Sequence, residues 1–124
     1  MVNGFIHELP CRGLSNDWIT PRWVVQAFDC LIPGTRFFDL DPCASTTQPW
    51  PTAIHQFTRS DDGLRRAWHG RVFCNPPYGP NTGLWMRRMA DHGNGVALVF
   101  ARVDTRAWQE HVFPTADAYL FPAG

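Results

Sequence analysis

Val72-Phe73-Cys74 runs straight into Asn75-Pro76-Pro77-Tyr78-Gly79-Pro80, and no other stretch constrains the fold as tightly. The apolar triplet reads as a short strand. Two successive prolines end it, because each fixes φ and removes a backbone donor that a neighbouring strand would need. Pro76 also drives Asn75 into an extended conformation. A helix from about Thr82 to Asp91 follows, with Trp85, Met86, Met89 and Ala90 on its core side and Gly93 as its stop. Val96-Ala97-Leu98-Val99-Phe100 is a continuous apolar run, which predicts a strand covered on both faces. Thr105 starts another helix through His111, ended near Pro114, and Ala118 to Phe121 reads as a last strand. Strand, helix, strand, helix, strand predicts a mostly parallel sheet with flanking helices, an α/β layer fold.

The first half is less regular. Met1 to Asn16 has no clear period and is expected to be a flexible N-terminal arm (1–16), with one domain over 17–124. Thr20 suits a helix N-cap and Pro21 the first helical position. Val24, Ala27, Phe28 and Leu31 make one apolar stripe, and Pro33-Gly34 stops the helix. Arg36 to Asp41 reads as a strand ended by Pro42. From Cys43 to Arg71 a long loop is expected, with one short helix near Leu64 to Trp68. The chain stops at Gly124, just after the last predicted strand. That strand would be an uncovered edge, so C-terminal elements of the domain are expected to be missing.

At 124 residues the chain has the size of one domain with an ordinary core. Apolar residues at 44% and charged residues at 18% argue against disorder. No stretch is long and apolar enough for a membrane span, and no secretion signal opens the chain, so a cytoplasmic protein without membrane contact is expected. Eleven basic side chains, all arginine, balance eleven acidic ones, and the whole-molecule charge advertises no partner. Cys11, Cys30, Cys43 and Cys74 form no C-x-x-C pair and the five histidines have no ligand spacing. We therefore expect free thiols and no metal.

The strand that precedes Asn75 puts Asn75-Pro76-Pro77-Tyr78 at the carboxyl end of a parallel sheet, where open α/β folds bind ligands. An amide oxygen beside a rigid proline carbonyl can accept both hydrogens of one amino group, and Tyr78 offers a flat face for a ring. The exocyclic amine of adenine is a poor nucleophile because its lone pair is delocalised into the ring. Two acceptors on its N–H bonds favour a pyramidal nitrogen with a localised lone pair, so positioning and electrostatics can accelerate its methylation.

Asn75-Pro76-Pro77-Tyr78 resembles the catalytic motif of S-adenosylmethionine-dependent amino methyltransferases. More narrowly, five separated motifs resemble the phage-type DNA N6-adenine methyltransferase family, in its order, over residues 16–121. They are Asp17-Trp18-x-Thr20-Pro21, Phe38-Asp39-Leu40-Asp41-Pro42-Cys43-Ala44-Ser45, Asp61-Asp62-Gly63-Leu64, Asn75 to Gly79, and Arg102 to Trp108. The resemblance implies a Rossmann-like methyltransferase fold and transfer of a methyl group from S-adenosylmethionine to N6 of adenine in DNA. The adenine would be flipped or single-stranded, and the setting a bacterial host cytoplasm. It implies that Asn75 and the Pro76 carbonyl hold the amine, with Pro77 stiffening the turn and Tyr78 stacking on the base. It places the cofactor's methionine half at Asp39, Asp41, Pro42, Cys43 and Ser45, closed over by Thr20 and Pro21, and its adenine near Asp61 or Asp62. Cys43-Ala44-Ser45 stands where such enzymes carry a glycine-rich turn.

Each feature also has a plainer reading. Asn-Pro-Pro can simply end a strand, Asp61-Asp62-Gly63 can be only a turn, and Asp39 and Asp41 can face solvent or act as caps. Trp85, Met86 and Met89 read as core. Arg65-Arg66 and Arg87-Arg88 read as solvated helix surface or phosphate contacts, and Arg102, Asp104 and Arg106 as a local ion network or as residues with a role near the site. Two functional alternatives share the motif or its remains: a protein-glutamine or RNA amino methyltransferase, and a non-catalytic methyltransferase remnant.

Overall fold

The computed structural model describes residues 19–31, of which 29–31 by backbone alone, and residues 38–121. The predicted N-terminal arm, Asp17-Trp18 and the Pro33-Gly34 stop lie outside the described residues. The order of elements is α1 (Arg22–Leu31), β1 (Phe38–Asp41), β2 (Ala53–Gln56), a 3₁₀ turn (Arg59–Asp61), β3 (Val72–Cys74), α2 (Thr82–His92), β4 (Gly95–Ala97) and a π-helical segment (Trp108–Val112). Among the described residues the strands make one parallel sheet in the order β2-β1-β3-β4. This is the α/β Rossmann-like architecture that the sequence predicts.

The short strands alternate faces, and each face takes a helix. Phe73, in the middle of β3, packs with Phe38 and Ala53 under Phe28 of α1. Its neighbours Val72 and Cys74 point to the other face and pack with Leu40 against Trp85 of α2. Both faces of β3 are thus covered, and Val72 and Phe73 are fully buried. Burying one such side chain contributes about 1.5–3 kcal/mol, so this strand anchors the domain. Trp85 and Met86 are core residues, as their helical spacing predicts. Gly93 ends α2 in the left-handed region at φ 71°, and its N–H donates to the Met89 carbonyl.

Several expectations need correction. The segment 43–71 holds β2, and Leu64 to Trp68 is turn and coil, not helix. The sequence carries no strand pattern for β2, because only Ala53 of its four residues is buried; pairing with β1 makes it a strand. The run Val96 to Phe100 forms a strand only to Ala97, at the sheet edge, with Gly95 and Ala97 exposed. Gly95 is needed there because a Cβ would fall 2.1 Å from the Val72 carbonyl oxygen. Ala118 to Phe121 pairs with nothing in the sheet and stays exposed.

The helix α1 begins at Arg22, with Pro21 just before it, its carbonyl accepting from Val24 N at 3.0 Å. Thr20 gives its hydroxyl to another element, as described below. Arg65, Arg66 and Arg87 are exposed, but Arg88 lies over the Trp68 ring at 5.2 Å and donates to the Arg66 carbonyl. The expected network of Arg102, Asp104 and Arg106 does not form; Arg106 pairs with Glu110 at 2.8 Å.

Candidate active site

The connections from β1 run to β2 on one side, and the chain then returns past β1 to β3 and β4 on the other. The carboxyl ends of β1 and β3 therefore flank the point where the strand order reverses, which is where open α/β sheets leave a crevice. Asp41-Pro42-Cys43 leaves the first of these ends and Asn75-Pro76-Pro77-Tyr78 the second.

Cys43 joins the two tips. Its thiol donates to the Asn75 carbonyl at 3.3 Å and lies 3.7 Å from the Cys74 sulfur. The Cys74 thiol and burial push the Cys43 thiol well above its ordinary range, so it stays protonated and able to donate. Both cysteines are free thiols. Asn75 is buried, and its Nδ2 donates to Thr20 Oγ1 at 3.0 Å, across 55 residues of chain. Thr20 is itself pinned. Its N–H donates to Gln48 Oε1, and its carbonyl accepts from Gln48 Nε2 and, at 2.9 Å, from Trp50 Nε1. Gln48 and Trp50 belong to the site's frame and were not read from the sequence, since no period marks them; Pro49 and Pro51 around them signalled only loop.

Asp41 is buried at 3% exposure, and both of its oxygens are used within the chain. Oδ1 accepts from Cys43 N at 3.0 Å and Oδ2 accepts from the Thr52 hydroxyl. Desolvation by burial pushes its carboxyl up to about 6, and these hydrogen bonds only partly oppose it. Asp41 thus shapes the turn at the β1 tip. Thr52, fully buried, is its unread partner. Asp39 is not brought to the tip. Its Oδ2 accepts from Arg71 N at 2.7 Å, beside Gly70, where β3 begins.

Pro42 is fully buried, and Gly63 packs so closely on its carbonyl that a Cβ would fall 1.8 Å from the oxygen. That contact brings Asp61-Asp62-Gly63 to the β1 tip. Asp61 accepts from Thr58 N at 2.8 Å and from the Thr58 hydroxyl, which hold its carboxyl below the usual range. Asp62 takes a left-handed φ of 52° and forms an exposed ion pair with Arg65 at 3.3 Å. Ser45 is half-buried and meets the Thr47 hydroxyl at 3.1 Å. In the second tip, Pro76 is fully buried, and the Pro77 carbonyl accepts from Thr82 Oγ1 at 3.0 Å at the start of α2. Tyr78 turns toward β4. Burial raises its phenol above the ordinary range, its hydroxyl donates to the Leu98 carbonyl at 3.2 Å, and its ring lies 4.2 Å from that of Phe100.

A protein-family profile for DNA N-6-adenine-methyltransferase (Dam) matches residues 12–122, nearly the whole chain. The chain belongs to that family. No curated protein and no solved structure matches it. As a member of the Dam family it is a DNA adenine methyltransferase, acting on the N6 amino group. The corner at Asn75 lies inside the matched span, and so do Thr20, Asp41, Cys43 and Asp61-Asp62. Among the described residues, no helix is long and apolar enough to cross a membrane, and no three His, Cys, Asp or Glu side chains are grouped to share a metal ion.

The corner's residues fit S-adenosylmethionine, the donor that methyltransferases generally use. Its ammonium and sulfonium are positive, and of the carboxylates next to Pro42 and Gly63 in the chain Asp62 is the exposed one, since Asp41 and Asp61 are bonded within the chain. Gly63, lacking a side chain, lets the turn that carries Asp62 pack directly on the Pro42 carbonyl at the β1 tip.

Proposed function

We propose that this adenine methyltransferase works at defined DNA sites, with S-adenosylmethionine as donor, on an adenine that is flipped or single-stranded. Asn75 and the Pro76 carbonyl hold the two N–H bonds of the target amine. The one observation that carries this reading is the bonded corner. An amide fixed by Thr20 and a proline carbonyl share the tip of β3, and Cys43 ties that tip to the tip of β1. Buried Pro76 removes a backbone donor and stiffens the turn, so its carbonyl is held as an acceptor. Accepting both N–H bonds favours the pyramidal nitrogen, and the fixed corner avoids reorganisation during attack.

S-adenosylmethionine, when bound, supplies an electrophilic methyl carried on a sulfonium. Of Asp41, Asp61 and Asp62, Asp62 is the exposed carboxylate, at 56% side-chain exposure, and pairs with the cofactor's positive end or its adenosine. Asp41 acts indirectly, holding Pro42-Cys43 in the turn that lines the donor site, while Ser45 and Pro21 border it. Asp61 holds the 3₁₀ turn that presents Asp62. Tyr78 gives the edge of the base a flat wall.

The test is expression in a host that lacks adenine methylation, with N6-methyladenine measured by mass spectrometry of digested DNA. The wild type should methylate. Asn75→Ala should lower the rate about 100- to 1000-fold, the usual loss when one preorganised transition-state contact is removed. Calorimetry should show Asn75→Ala still binding S-adenosylmethionine. A folded, cofactor-binding wild type that leaves DNA unmodified would refute the proposal.

A further inference from the structure

A cavity of about 430 Å³ opens beside Tyr78. Its walls include Tyr78 and Phe100, Trp108 of the π-helical segment, and Met86 of α2, with Arg102 and Ala107 from the connecting segment. We propose that it takes the nucleobase next to the target adenine on the same strand by stacking, while Arg102 contacts the adjoining phosphate. This rests on the reading that Asn75 and Pro76 hold the target amine. Neither Asn75 nor Pro76 lines the cavity, and Asn75 is bonded toward Thr20 and Cys43, on the β1 side. A base inside the cavity is therefore the target's neighbour.

The lining chemistry selects the occupant. Three aromatic side chains and a methionine suit a flat ring. Arg102 is the one charged residue in the lining, no carboxylate faces it there, and it makes no ion pair among the described residues. An anionic group beside a flat ring is a nucleotide. The hydroxyls are already committed. Thr82 Oγ1 bonds Pro77 and Gly79, Thr105 Oγ1 donates to the Arg102 carbonyl, and Tyr78 donates to Leu98. The cavity thus offers stacking without reading the edge of the base. Its far wall is held locally, since Trp108 Nε1 donates to the Phe100 carbonyl at 2.9 Å and Gln109 Nε2 to the Val103 carbonyl at 2.7 Å.

The experiment uses the full chain and oligonucleotides carrying the sequence found methylated in the expression host. The nucleotide on each side of the target is kept, replaced by an aromatic analogue without hydrogen-bonding groups, or made abasic. On one side the analogue should stay within about threefold of the natural base in kcat/KM, and the abasic site should fall about tenfold. Ala107→Phe, which puts a ring into the cavity where the base would stack, should bring the intact substrate down to the abasic rate and erase the difference. Arg102→Ala, an exposed change that spares the core, should reduce the slope of log kcat/KM against log salt by about 0.7 on single strands. Equal rates with abasic sites on both sides would overturn the inference, as would an analogue as poor as the abasic site, or an unchanged salt slope. No methylation of any adenine oligonucleotide would instead sink the amine-holding reading, and this inference with it.

Discussion

The corner between β1 and β3 and the segment after β4 are held together by different kinds of bonds. At the corner the partners are far apart in sequence: Asn75 with Thr20, Cys43 with Asn75, Gln48 and Trp50 with Thr20. Beyond Phe100 they are close. Thr105 bonds Arg102, Gln109 bonds Val103, Trp108 bonds Phe100, and Tyr119 stacks on Trp108. Long-range bonds fix several segments against one another, and each holds the others' geometry. Local bonds fix a segment against itself and leave its placement to a few contacts. A site that must grip an amine within a fraction of an ångström belongs on the first kind of frame. A wall that receives a strand of DNA tolerates the second.

The largest difference should appear in stability. Phe73→Ala removes the ring that packs on Phe38 and Phe28 from both neighbouring elements, and should cost about 3–5 kcal/mol. Leu120→Ala, at a side chain 63% exposed, should change stability by no more than about 0.5 kcal/mol. Urea unfolding of the two variants compares them directly. Similar losses would break the distinction between an anchored corner and a self-contained tail.

Next in size is the pH dependence of the corner. Asp41 is raised to about 6 in the folded chain from an ordinary value of 3.8. The folded state therefore holds this proton more tightly than the unfolded state does. Ionising Asp41 then costs folding about 3 kcal/mol, at about 1.4 kcal/mol per unit. The cost is absent below about pH 4 and complete above about pH 6, so this group lowers stability as pH rises through that window. Wild type should lose up to about 3 kcal/mol more than Asp41→Asn between pH 4 and 7 in urea titrations. A constant difference across that range would remove Asp41 as a buried acid.

The same contrast explains how much could be read from the chain. β3 and α2 were legible because their signals are local: an apolar triplet ended by two prolines, and a core stripe stopped by Gly93. The corner at Asn75 was legible for the same reason. Thr20 looks like a helix cap in the sequence, but its hydroxyl serves as the acceptor for Asn75, a role that no helical period can reveal. β2 carries one buried residue, so its strand character comes from β1. Val96 to Phe100 looked like a strand buried on both faces. Its apolar residues are instead covered by other elements, Val96 and Leu98 against the Phe73 cluster and Phe100 against Tyr78. Apolarity overstates the burial here, since Val96, Leu98, Val99 and Phe100 are only half-buried and Ala97 is exposed, and it says nothing of which element does the covering.

A smaller effect tests whether the long-range frame serves the chemistry. Thr20→Val keeps the shape and deletes the acceptor of the Asn75 amide, while Thr20→Ser keeps the acceptor. Losing one such bond is worth roughly 1 kcal/mol, so Thr20→Val should slow kcat about fivefold to tenfold. KM for DNA should change little, and Thr20→Ser should restore the rate. Equal loss in both variants would mean that the side chain only fills space.

The smallest effect is expected where bonding is both local and exposed. Arg106 and Glu110 pair at 2.8 Å one helical turn apart, with the arginine side chain 90% exposed. Water screens the pair, and two long side chains must be ordered to make it, so Arg106→Ala should cost at most about 0.5 kcal/mol. Half-molar salt should erase even that. Arg106 also controls for Arg102. The two lie four residues apart in one exposed segment, but Arg106 has a carboxylate partner and stands outside the cavity lining. If DNA affinity answered only to net charge, both substitutions would flatten the salt dependence equally. A change confined to Arg102→Ala would locate the phosphate contact at the cavity mouth, which is what a locally built wall beside a rigid corner is expected to provide.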